Sequence, residues 1–219
     1  MWFVGEQPHD LTPDKAIRHF QVGATKWEKA KSSFMEIIKC NEISDNFFLF
    51  NDDFFVMRPP EEEFINFVGG TLEKRVTDME KGKRIISAYT RNLDKLRSIL
   101  YLKHYDTMSF ALHVPMLINK KLMAKTLEEF PNTSMFRSAY GNSNKIPYKY
   151  HEDVKIYDNG SLPKAEWEFV STTEESFAHG QVGRYLREKF QEPSRFEEGS
   201  KIINVKELYT EEGDLLMEE

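Results

Sequence analysis

The chain has 219 residues, 40% of them hydrophobic, which is enough to bury a full core and predicts a single domain. A net charge of −6 without a dense Lys/Arg patch argues against nucleic acid as a partner. A single cysteine, Cys40, excludes an internal disulfide and fits a reducing compartment. No apolar stretch reaches membrane-spanning length. The Met1-Trp2-Phe3-Val4-Gly5 start lacks a signal peptide's charged region and long apolar core, so a cytoplasmic protein with no membrane span is expected.

Trp2-Phe3-Val4, followed by Gly5 and Pro8, reads as a short strand entering a loop. The spacing of Trp27, Phe34, Ile37 and Ile38 predicts a helix over residues 26–40. The apolar run from Phe47 to Phe50, bounded by polar residues, reads as a buried strand that stops at Asn51. Pro59-Pro60 ends regular structure, and the charged residues 61–83, with Gly69-Gly70 among them, read as a loop. Ile85, Tyr89, Leu93, Leu96 and Leu100 recur at helical spacing and predict a helix from Ile85 to Leu102. Asn119 is placed to cap a second helix through Phe130, with Leu122, Met123 and Leu127 facing inward. Residues 131–165 hold three prolines and two glycines among polar residues, the pattern of a long loop that carries function. A strand over Trp167–Val170 follows. Thr172-x-x-Glu175 then has the spacing of a capping box for a helix with Val182, Tyr185, Leu186 and Phe190 on one side. A last short strand is expected at Ile202–Val205, closing a domain over 1–205, with 206–219 an acidic, frayed tail. Helices and strands mixed without strict alternation predict an α/β domain with a mixed central sheet flanked by helices.

Asn51-Asp52-Asp53 carries the clearest chemistry. Two adjacent carboxylates at a strand end repel each other unless something cationic sits there. Mg²⁺ takes one or two carboxylates plus substrate phosphates, and open α/β sheets bind ligands at the carboxyl ends of their strands. The plainer reading of the triplet is a polar turn between two halves of a hairpin. His113 lies in apolar surroundings, where a histidine is more often a hydrogen-bonded core residue than a catalyst. Arg137, beside Ser138, has a fork suited to phosphate but could equally pair with one of 36 acidic residues. Glu174-Glu175 is accounted for by the capping box, and His151-Glu152-Asp153 reads as a solvated loop. The sequence contains no Gly-rich phosphate loop, HExxH, GxSxG or CxxC.

An aromatic strand ending in Asn51-Asp52-Asp53, then His113-Val-Pro115 and Phe136-Arg137-Ser138, then Pro193-Ser194-Arg-Phe196-Glu197, make three blocks whose order resembles the Stealth family of sugar-1-phosphate transferases. Ile43-Ser-Asp-Asn-Phe-Phe-Leu-Phe-Asn51-Asp52-Asp53-Phe-Phe is similar to the family's aromatic strand ending in Asn-Asp-Asp. His113-Val-Pro115 and, after a short helix, Phe136-Arg137-Ser138 resemble its His-x-Pro and Phe-Arg-Ser elements. Phe169-Val-Ser171-Thr-Thr-Glu-Glu-Ser176-Phe177 with Pro193-Ser194-Arg-Phe196-Glu197 resembles its closing block, although Glu174-Glu175 stands where the family tends to show Asn-Asp. The family's earlier first block has no counterpart ahead of Trp2. The resemblance implies a fold related to the glycosyltransferase A type and a metal-assisted transferase. Its expected donor is a nucleotide sugar, such as a UDP-sugar, and its acceptor a hydroxyl of a glycan or other molecule. It implies Asp52 and Asp53 as ligands of Mg²⁺ or Mn²⁺, and Asp53 and His113 as catalytic residues, His113 being the base. It also implies Asn51, Arg137, Ser138, Asn142 and Glu175 as substrate contacts. Two alternatives are an ordinary glycosyltransferase with an acidic metal-binding triplet and a non-catalytic binder of carbohydrate or a protein partner.

Overall fold

Strand β1 (Trp2–Gly5) pairs in parallel with β2 (Lys15–Arg18) in a computed structural model that describes residues 1–6, 8, 11–59 and 66–196. Helix α1 (Lys26–Lys39) begins at Thr25, which forms a reciprocal capping box with Glu28. Strands β3 (Asn46–Leu49), β4 (Phe54–Val56) and β5 (Asn66–Val68) follow, then helices α2 (Leu72–Glu80) and α3 (Ala88–Leu102). β6 (Met116–Asn119) runs directly into α4 (Lys120–Glu129), and α5 (Phe136–Ser143) follows. β7 (Tyr148–Tyr150), β8 (Lys155–Ile156), β9 (Phe169–Thr172), α6 (Glu174–His179) and α7 (Gln181–Lys189) complete the described elements.

The chain is therefore mixed α/β, but its strands form four small sheets among the described residues rather than one central sheet. β3 pairs antiparallel with β6, and β5 pairs parallel with β7. The Asn66 side chain bridges these two sheets: its Oδ1 accepts from Leu117 N at 2.8 Å and its Nδ2 donates to Leu117 O at 3.1 Å. The third sheet has β9 at its centre, antiparallel to β4 and parallel to β8. Fully buried β9 is the hub on which the site below is built.

Three of the predicted helices stand close to their expected bounds, because a 3.6-residue apolar period leaves one face to bury. Leu93, Leu96 and Leu100 of α3 pack with Leu72 and Val76 of α2, and Met123 and Leu127 of α4 enter the main core with Phe34 of α1. Asn119 caps α4 as expected, its side chain accepting from Leu122 N.

Several expectations are corrected. Residues 61–83 are not all loop: β5 and α2 lie within them, with Thr71 capping α2. Ile85 lies outside α3 and is exposed, and Leu122 also faces outward. The 131–165 stretch contains α5, β7 and β8. The strand expected at Trp167–Val170 is shifted to Phe169–Thr172, so the helix cap moves one residue on, to a Thr173–Ser176 capping box. The single helix expected there is two, α6 and α7. Val182 and Leu186 are buried, whereas Tyr185 and Phe190 are exposed. β3 is half-buried rather than covered on both faces, since Phe47 and Leu49 face the core while Phe48 and Phe50 are exposed. The strand and tail expected beyond residue 197 lie outside the described residues.

Candidate functional site

Two short alternating segments back onto one apolar cluster and so push their polar residues to the same side. Leu112 and Val114 are buried with Val154 and Phe169, which leaves His113 and Asp153 facing outward. Along residues 153–157, Val154 and Ile156 are buried, while Asp153, Lys155 and Tyr157 stand on the opposite face, as the period of a strand requires.

His113 Nδ1 lies 2.9 Å from Asp153 Oδ1 and 3.0 Å from Oδ2, and the His113 backbone N–H donates to Asp153 Oδ1 at 3.1 Å. Arg75 of α2 approaches Asp153 Oδ2 from behind at 3.6 Å. Burial alone pushes the Asp153 carboxyl up, but hydrogen bonds from His113 and the charges of His113 and Arg75 outweigh it and hold the carboxyl below its ordinary value. An ionised carboxylate can only accept, so the proton of neutral His113 belongs on Nδ1 and the lone pair on Nε2. The Tyr157 ring stands edge-on to the imidazole at 6.4 Å.

The segment that carries His113 makes only an isolated bridge, Met108 to Thr71, with backbone hydrogen bonds of Ser109 to Gly69 and Gly70, and side chains of α5 supply further hydrogen bonds. Asn142 accepts from Met108 N and donates to Met108 O, both at 2.8 Å, and Ser138 Oγ accepts from Phe110 N at 3.1 Å. Arg137 donates to Leu112 O at 2.9 Å and to Val114 O at 2.6 Å, gripping the carbonyls on either side of His113. Gly141 permits this closeness, because a Cβ there would meet Phe110 Cε2 at 2.3 Å. Arg137 is part-buried, with its Nε enclosed in the fold. Burial lowers its guanidinium to about 10, opposed by attraction to Asp153, so it stays charged at neutral pH. Arg137, Ser138 and Asn142, expected to touch phosphate and sugar, instead bind backbone. They fix the loop that presents the histidine.

Asp53 closes the turn between β3 and β4. Its Oδ2 accepts from Lys155 Nζ at 2.6 Å and from the buried Ser171 Oγ at 2.7 Å. Lys155 of β8 and Phe54 of β4 are both register partners of Ser171 on β9, so the three-stranded sheet itself brings carboxylate, ammonium and hydroxyl together. Burial pushes the Asp53 carboxyl up, but hydrogen bonds from Lys155 and Ser171, with the charges of Lys155 and His113, bring it below its ordinary value. The Lys155 ammonium also lies 6.0 Å from the Tyr157 ring. Asp53 and His113 are thus brought to one place. The part-buried set holds three cationic side chains, Arg75, Arg137 and Lys155, against the carboxylates of Asp53 and Asp153.

Asn51 and Asp52 are exposed at the same turn. Glu175, in the first turn of α6, is exposed and receives a long hydrogen bond from Asn159 at 3.5 Å. Among the described residues no three His, Cys, Asp or Glu side chains stand together as a ready metal cage. The turn offers only oxygen donors from Asp52 and Asp53, the kind that fits a hard divalent cation completing its shell with ligand phosphates. Sequence reasoning set Asp153 aside and did not reach Lys155, Arg75, Tyr157 or Ser171. The signal that could have found them is the alternation of Asp153-Val-Lys155-Ile-Tyr157.

Comparison with protein-family models and with curated proteins gives no match for this chain. No described helix is long and apolar enough to cross a membrane.

Proposed function

We infer that the chain is a metal-assisted transferase that uses a nucleotide-sugar donor and passes sugar-1-phosphate to a hydroxyl of a glycan or other acceptor. One observation carries this reading: a histidine oriented by the Asp153 carboxylate and the Lys155 ammonium paired with Asp53 both lie beside Tyr157. The order of the Asn-Asp-Asp, His-x-Pro and Phe-Arg-Ser blocks supports it from the sequence. Asp52 and Asp53 would hold Mg²⁺ or Mn²⁺ together with the diphosphate of a UDP-sugar. Bound there, the cation would supply charge neutralisation to the phosphoryl oxygens.

His113 Nε2 takes the proton of the acceptor hydroxyl. The acceptor oxygen bonds to the β-phosphorus, the anhydride bond breaks, and a nucleoside monophosphate leaves. Asp153 keeps its charge throughout and stabilises the imidazolium that forms. Arg75 secures Asp153, and Arg137 fixes the height of the histidine loop. Chromatography of the nucleotide product from a panel of UDP-sugars with mixed hydroxyl acceptors tests this, and UMP is expected. UDP as the sole product makes the chain a glycosyltransferase cleaving at the anomeric carbon. No product from any donor leaves a carbohydrate- or partner-binding protein.

A further inference from the structure

The adjacent acids of the 51–53 turn call for a neighbouring cation, and the fold supplies one from its own chain. Lys155 Nζ sits 2.6 Å from Asp53 Oδ2, with only 16% of its side chain exposed. A second lysine shows what a purely structural ammonium looks like here. Lys120 Nζ is buried and donates to Cys40 O at 2.8 Å and Ile43 O at 2.7 Å, locked onto two carbonyls that cannot be exchanged for a ligand. Lys155 is held instead by a part-buried carboxylate, and its ammonium lies at the face of Tyr157, the exposed aromatic residue of the site. A lysine ammonium is a compact point charge with three donors on a flexible stem, so it can turn from one anion to another without the backbone moving.

We propose that Lys155 is the anion-binding residue of this site, kept on Asp53 until a diphosphate arrives. The proposal rests on the reading above that Asp52 and Asp53 take a divalent cation. A divalent cation and an ammonium repel each other and cannot both sit on the Asp53 carboxylate at full strength. A cation entering alone must therefore displace Lys155. The displaced ammonium stays beside the Asp52–Asp53 turn and is attracted to the phosphates that arrive with the cation. Cation and diphosphate then assist each other through Lys155, and by linkage each raises the affinity of the other to the same extent.

Two separate calorimetric titrations of the full chain test this, so that cation and anion never mix in solution: MnCl₂ alone, and inorganic pyrophosphate alone in the presence of EDTA. For Lys155→Met, pyrophosphate affinity should fall about tenfold, the scale of one charge-assisted hydrogen bond. Affinity for Mn²⁺ alone should rise about tenfold, since the competing ammonium is gone. Lys155→Arg retains the charge and should restore pyrophosphate binding, which separates the role of the ammonium from any folding defect. If Lys155→Met weakens both ligands, or moves neither, while the unaltered chain binds both, the assignment of Lys155 is overturned and the cation–phosphate site stands. If the unaltered chain binds neither Mn²⁺ nor pyrophosphate, that site is itself wrong and the lysine assignment falls with it.

Discussion

Asp53 faces a lysine on a flexible stem and a buried serine hydroxyl, whereas Asp153 faces an imidazole, that residue's own backbone N–H and a guanidinium. Both carboxyls are held below their ordinary values, but the surroundings differ in how easily they can be exchanged. Around Asp153, every partner is tied to something else: His113 by the backbone that Arg137 grips, and Arg75 by the helix that carries it. Around Asp53, the chief partner is a single ammonium that another anion could take. Asp153 thus sits among groups held in place, whereas on the proposed role of Lys155 the surroundings of Asp53 can trade charge with a ligand.

The Asp153 side should break hardest. Arg137→Met strands the carbonyls of Leu112 and Val114 in a buried site and should lower unfolding free energy by about 3 kcal/mol in urea titrations. A loss below about 0.5 kcal/mol, the range of ordinary surface changes, would mean the guanidinium does not brace the loop. Asp153→Asn keeps the shape but removes the charge that fixes the proton on Nδ1. Turnover should fall about a hundredfold, with donor affinity little changed, as for a group acting in the transition state. An equal loss of affinity would mark Asp153 as structural only.

The Asp53 side should yield less. Asp53→Asn leaves Lys155 part-buried without its counter-charge and should cost about 1–2 kcal/mol of stability. Acid sharpens the comparison. Each carboxyl has a folded pKa below its unfolded value of 3.8, so its contribution is fully present above that value and is lost as pH falls through the folded one. Stability of the unaltered chain should therefore decline below about pH 4, and Asp53→Asn or Asp153→Asn should each make the decline shallower. Acid melts followed by circular dichroism would show it, and an unchanged acid limb in both variants would sink the assignment. Glu175→Gln, on the exposed first turn of α6, should change stability by no more than about 0.5 kcal/mol.

How much of this could be read from the sequence follows from what each element needs from distant residues. α1, α3 and α4 announce themselves because their apolar period and caps are local. α5 was hidden: its sequence, Phe-Arg-Ser-Ala-Tyr-Gly-Asn-Ser, is poor in helix formers and contains a glycine needed only because Phe110 presses against it. Asp53 and His113 were legible as candidates through residue type. Their partners were not, because Lys155 lies 102 positions from Asp53 and Asp153 lies 40 from His113. Ser138 and Asn142 look like ligand contacts in the linear chain. Only the fold reveals that their hydrogen bonds are already used by residues 108–110.

The position of β9 between β4 and β8 has a consequence for the order of assembly. Ser171, which completes the Asp53 cluster, lies 118 residues beyond it. Emerging from a ribosome, the acidic turn must wait for nearly all of the described chain before it meets its hydroxyl and its lysine. Closing so long a loop is slow, and local helices form well before it. A nascent chain stopped short of β9 would carry α1, α3 and α4 in outline while Asp53 lacked Ser171 and the strand whose register sets Lys155 beside it. The Asp53 cluster thus forms late among the described elements, and on the proposed role of Lys155 pyrophosphate added during refolding should report assembly of this sheet rather than collapse.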